Sequence, residues 1–132
     1  MLLTPTYHVF EMYKVHHDAL LIPLTLRCGD YEMNGLKLPV LSASASRNND
    51  GVIHVSIVNI HPRENSQLEI DLRGQDVSEV SARILTSGDV GDHNTFEQPG
   101  KVKPAKFDAM KLKNNILKTT VPAKSIVVFE IM

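Results

Sequence analysis

Six histidines and one cysteine are the side chains of this sequence best suited to chemistry. His8, Met12 and His16 fall at i, i+4 and i+8, so a helix would place them on one face. Zinc sites draw on Cys, His, Asp and Glu, and the soft thioether of Met seldom serves. No third histidine or carboxylate is placed by spacing, so a packed or surface-facing histidine pair is expected there. His16, His17 and Asp18 are consecutive, and helical neighbours point about 100° apart, too far to chelate together. Asp89-Val90-Gly91-Asp92-His93-Asn94 contains oxygen ligands but lacks the alternating acids and the terminal glutamate of a calcium loop. Its Asp and Asn side chains are expected to shape the loop through local hydrogen bonds to backbone. The glycines form no phosphate-cradling G-x-G-x-x-G pattern, and Ser42, Ser44 and Ser46 sit in no G-x-S-x-G elbow. Cys28 lies in an apolar stretch with nothing beside it to activate a thiolate, so a buried structural thiol is expected. Among 15 acidic residues nothing singles out a glycosidase-type pair. The sequence therefore assigns no catalytic residue, no metal ligand and no cofactor.

The composition narrows the class of partner. A chain of 132 residues with 42% apolar and 22% charged side chains is one domain with room for its own core. The 14 basic and 15 acidic residues leave a net charge of −1, which favours neither nucleic acid nor an anionic membrane. The apolar run Ala19 to Leu24 is far too short to span a bilayer. Tryptophan is absent, and three Tyr and four Phe offer little for an aromatic platform that stacks on sugars.

The elements that must position these residues are one helix and a series of strands. Thr4 suits an N-cap and Pro5 the first helical position. Val9, Met12, Tyr13 and His16 then share one face, and Tyr7, Phe10 and Lys14 another. So wide an apolar band predicts a helix packed on more than one side, and a lone helix of this kind reads as part of something larger. From Leu20 to Arg27 the chain is apolar and extended, with Pro23 marking an edge strand or bulge. A loop is expected over Gly29 to Gly35, then strands at Leu36–Val40 and Ser42–Ser46. Asn48-Asn49-Asp50-Gly51 predicts a turn into the Val- and Ile-rich strand Gly51–Ile60. Further strands are read at Leu68–Leu72, Val80–Ile84, Phe107–Lys113, Ile116–Val121 and Ser125–Ile131, with one long loop from Asp89 to Pro104. About eight to nine strands at this spacing, with no helices between them, predict an all-β antiparallel sandwich or barrel.

Three segments carry a family resemblance. Thr4-Pro5-Thr6-Tyr7-His8-Val9-Phe10-Glu11-Met12-Tyr13 resembles the final barrel helix of the α-L-arabinofuranosidases of glycoside hydrolase family 51. His93-Asn94-Thr95-Phe96-Glu97-Gln98-Pro99, followed by Val102-Lys103-Pro104, is similar to the N-T-F-E-x-P…V-x-P loop of that family's C-terminal domain. Val121 to Glu130 is similar to its last strand. Asn94 to Pro104 is the most specific part, and the likeness spans nearly the whole chain.

The resemblance implies a jelly-roll-like β-sandwich over residues 19–132, preceded over residues 1–18 by the last helix of a (β/α)8 catalytic barrel. It implies a parent that removes terminal non-reducing α-L-arabinofuranosyl residues from arabinan or arabinoxylan with retention. Retaining chemistry places two carboxyl groups about 5–5.5 Å apart, and in the family both glutamates lie on barrel strands before this helix. Glu11, Glu32, Glu97 and Glu130 do not correspond to them. The implied partners are the barrel of the same polypeptide and, through the parent, an arabinose-containing polysaccharide. Tyr7, Phe10 and Tyr13 are the expected barrel-packing aromatics. His93, Asn94, Phe96 and Glu97 form a loop expected to contact the barrel or the substrate cleft. Cytoplasmic, periplasmic and secreted bacterial parents all fit, as does a homo-oligomer. Two other readings stand beside this one: an independent carbohydrate-binding module, and an unrelated interaction sandwich. Apolar residues stranded on the helix also predict an exposed patch and self-association.

Overall fold

The structure, a computed structural model, describes residues 2–132. Helix α1 (Pro5–Tyr13) begins as expected: Thr4 is the N-cap, its hydroxyl accepts the Tyr7 N–H at 3.1 Å, and Pro5 occupies the first turn. A 3-10 turn over Lys14–His16 extends it. His17 leaves the turn in an extended conformation, and Asp18 follows with a positive φ of 55°.

Eleven strands follow among the described residues: β1 (Leu20–Leu21), β2 (Asp30–Met33), β3 (Leu36–Pro39), β4 (Leu41–Arg47), β5 (Ile53–Asn59), β6 (Ser66–Asp71), β7 (Val80–Leu85), β8 (Ala105–Lys106), β9 (Met110–Lys113), β10 (Ile116–Val121) and β11 (Ser125–Ile131). Six form one sheet in the order β1-β4-β5-β11-β7-β8, three form a second in the order β6-β10-β9, and β2 and β3 form a separate hairpin. Every pairing is antiparallel. The β-sandwich read from the sequence is therefore the fold.

The two-residue period of a strand explains the core. Ile53, Val55 and Ile57 on β5, with Val127, Phe129 and Ile131 on β11, meet Leu68 of β6 and Leu117 and Val121 of β10 between the sheets. Phe107 packs edge-on against Phe129 at 6.3 Å. The opposite face of the six-stranded sheet carries α1. There Met12, 1% exposed, joins Leu85, Val102 and Val128 in a second cluster, with Val9, Tyr13 and Val15 at its rim.

Three local expectations are corrected. Leu20 to Arg27 pairs as strand only over Leu20–Leu21, at the sheet edge. Ile22 still donates its N–H to Ala45 at 2.9 Å, but Pro23 has no N–H to continue the ladder. Because the segment then runs along the surface, Cys28 is exposed rather than buried. Gly29 to Gly35 is not a loop: it contains β2 and turns through Asn34 (φ 51°) and Gly35 (φ 82°) into β3. Positive φ at both positions is the signature of a tight hairpin turn. The expected Phe107–Lys113 strand starts only at Met110, with the short β8 before it.

Candidate functional site

The helix-bearing face gathers most of the singled-out residues. The outer side of α1 presents Phe10, 75% exposed, and Tyr7, about half exposed. Tyr13 turns the other way, onto its own sheet, where burial raises its phenol pKa against the opposing influence of the Ser56 hydroxyl.

The loop between β7 and β8 is folded back beside the start of α1. Asn94 is buried in it and holds both ends: its amide donates to the carbonyls of Leu3 and Val102, each at 2.8 Å, and accepts the Val102 N–H at 2.7 Å. Asp92 fixes the preceding turn. It accepts from the Ser87 hydroxyl and the Asp89 N–H, and its other oxygen lies 3.0 Å from Lys101 Nζ. The Ser87 and Lys101 contacts hold its carboxyl below the usual carboxylate range. Asp89 accepts the Gly91 N–H at 2.7 Å, so these acids do shape the loop locally. Thr95 and Gln98 exchange backbone hydrogen bonds at 3.2 Å. That closes a tight tip with Phe96 and Glu97 at its apex, and Phe96 is 83% exposed. His93 is exposed beside it, with Nδ1 3.1 Å from the Gly91 carbonyl.

Beneath the far end of α1 lies a polar cluster that sequence reading passed over. Strand register sets Ser46, His54, Glu130 and Ser81 in one cross-strand row, and Ser44, Ser56, Val128 and Arg83 in the next. His16 enters this surface from the 3-10 turn, with Nδ1 2.5 Å from Ser46 Oγ and Nε2 2.5 Å from Ser56 Oγ. His54 Nε2 lies 3.4 Å from Glu130 Oε2, and its buried Nδ1 has no hydrogen-bond partner among the described residues. Arg83 donates to both carboxylate oxygens of Glu11, at 3.3 and 2.9 Å, tying α1 to β7. The available sign was the alternation of serines on β4 with His54 and Ser56 on β5. It went unread because a strand buried on both faces is usually apolar on both.

Across the described residues no group of three His, Cys, Asp or Glu converges as metal ligands. This face carries two exposed aromatics, Tyr7 and Phe10, and the exposed loop tip at Phe96 on its outside, with polar ties beneath.

The family described as the alpha-L-arabinofuranosidase C-terminal domain matches residues 1–125. The chain belongs to that family. A curated relative, the intracellular exo-alpha-L-arabinofuranosidase of Bacteroides ovatus, is 42% identical over 132 residues. The alignment covers 99% of this chain but 26% of the relative, so the chain spans about a quarter of that protein. Among solved structures, the glycoside hydrolase family 51 arabinofuranosidase of Xanthomonas axonopodis pv. citri superimposes with a TM-score of 0.96 at 30% identity. It covers all of this chain, which corresponds to 27% of that one. The alpha-L-arabinofuranosidase of Thermotoga maritima, solved with arabinose, gives a TM-score of 0.85 at 24% identity over 99% of the chain, 30% of its own, and so shares the fold. Membership in the arabinofuranosidase C-terminal family removes the unrelated interaction sandwich from consideration.

Proposed function

We propose that this chain is the supporting β-sandwich of a retaining arabinofuranosidase that releases terminal α-L-arabinofuranosyl residues from arabinan or arabinoxylan. Residues 1–18 act as the last helix of a (β/α)8 catalytic barrel, and residues 19–132 as the domain that packs on it. The observation that carries this reading is the exposure of Tyr7 and Phe10 on a helix whose inner side is fully used by its own sheet. A helix apolar on both sides needs a second partner. Phe96, on a loop pinned to the start of that helix through Asn94, extends the same attachment. Catalysis belongs to the barrel, and the sandwich holds it in shape.

The test is hydrolysis of a chromogenic α-L-arabinofuranoside by the purified 132-residue chain. The expected result is no turnover above buffer. Turnover that co-purifies with the chain would refute the supporting role.

A further inference from the structure

The helix is held to its sheet by two polar ties of different acid sensitivity. Near its middle, Glu11 pairs with Arg83. At its end, His16 is wedged between the hydroxyls of Ser46 and Ser56. A neutral imidazole has one N–H donor and one bare acceptor, so one serine accepts from it and the other donates to it. The two contacts therefore fit the uncharged ring.

We propose that His16 is an acid-released latch, which holds the end of the α1 segment on the sheet when neutral and lets it lift when protonated.

The surroundings give the reason. From β5, His54 faces His16 and is 5% exposed. From β11 comes Glu130, which is occupied with His54. From β7 comes Arg83, whose charge is already engaged by Glu11 of α1, and the β8 edge adds Lys106. From the helical segment itself come Tyr13, whose ring meets His16 at 5.8 Å, and Lys14, paired with Glu11 at 3.8 Å. His17 and Asp18 pair with each other in solvent. Among the described residues no carboxylate pairs with the His16 ring to accept its charge; its polar partners are the two serines. A proton on His16 would be half-buried, near His54, and would force the donating serine to turn its hydrogen away. Burial and His54 both hold the His16 pKa below its ordinary value.

A cavity of about 410 Å³, lined in part by Met12, Val15, His54 and Glu130, opens on the His54–Glu130 side of the cluster. Lifting the helix end would also hydrate the orphaned His54 Nδ1. The sign follows from linkage. The folded state binds the His16 proton less readily than the unfolded chain, so the latch is fully effective above the ordinary imidazole value of about 6.5. It weakens below that value and is lost as pH falls through the His16 midpoint of the folded chain. The Arg83 hydrogen bond holds Glu11 below the usual carboxylate range, so the second tie persists to lower pH. Acid thus frees the end of the segment before its middle.

The experiment is NMR on the 132-residue chain from about pH 7.5 to 4.5, following the imidazole signals and amide exchange corrected for its intrinsic pH dependence. His16 is expected to titrate below the ordinary value. Protection of amides 12–17 should fall by up to about tenfold per pH unit down to that midpoint, with β5 and β11 unchanged. His16→Gln, whose amide can both donate and accept without titrating, should abolish this response. A His16 midpoint at or above the ordinary value, or the same response in His16→Gln, overturns the latch. If that variant does not fold, the wild-type titration decides alone.

Discussion

At the scale of single residues, two asparagines have the same task in different places. Asn59 donates to the carbonyls of Glu64, Val121 and Pro122 and accepts the His61 N–H, stitching the β5–β6 turn to the end of β10. Asn94 does likewise for the long loop. Replacing Asn94 by Ala leaves a buried N–H and buried carbonyls unpaired, at a cost of about 1–3 kcal/mol. A lowered urea midpoint with an unchanged slope would register it; an unchanged midpoint would mean that water substitutes freely. Phe10 predicts the opposite behaviour. Its ring is out in solvent, so Phe10→Asp should shift stability by less than about 0.5 kcal/mol while reducing self-association of the isolated chain. Light scattering on the two proteins at matched concentration checks this. A wild-type chain that stays monomeric at high concentration would remove exposed aromatics as a cause of association.

At the scale of elements, legibility followed pattern strength. β5, β6, β10 and β11 were readable because branched apolar residues repeat at period two and clear turns bound them. The α1 start was readable from Thr4-Pro5 alone. The β3 strand was readable from the alternation of Leu36, Leu38 and Val40, but its hairpin partner β2 was not. Asp30–Met33 is mostly exposed on both sides, so burial wrote no alternation into it. Only Asn34-Gly35 marks the turn, and such a pair fits a loop equally well. The same blindness hid the His16 cluster, whose serines look like a weak strand until register places them beneath a helix. A hairpin of two strands with so little packing is marginal. Its amides should therefore exchange faster than those of β5 and β11. At Gly35 a Cβ would meet nothing within 4 Å, but φ is +82°, so Gly35→Ala costs strain alone. We expect about 1 kcal/mol, read as faster exchange confined to residues 30–39. Equal exchange in hairpin and central strands would show that the hairpin is better anchored than its burial implies.

At the scale of the whole molecule, a complete sandwich core coexists with an outward helix face that the sandwich does not cover. The core explains how the domain holds together, and the uncovered face is the observation on which the proposed supporting role rests. A free-standing sugar-binding module would instead need a platform, and the exposed aromatics of this chain sit on the helix and the loop tip pinned beside it. Calorimetry of the chain with arabinan should accordingly give no binding heat; a saturable signal would favour the module. Whether this domain supports a catalytic barrel can be read from an exchange with a relative. The Bacteroides ovatus enzyme, whose matching quarter is 42% identical, can be produced without that quarter and again with this chain in its place. Little soluble arabinofuranosidase activity is expected from the truncated enzyme, with activity restored in the chimera and lost again on Phe10→Asp. A truncated enzyme as active and soluble as the chimera would contradict the supporting role.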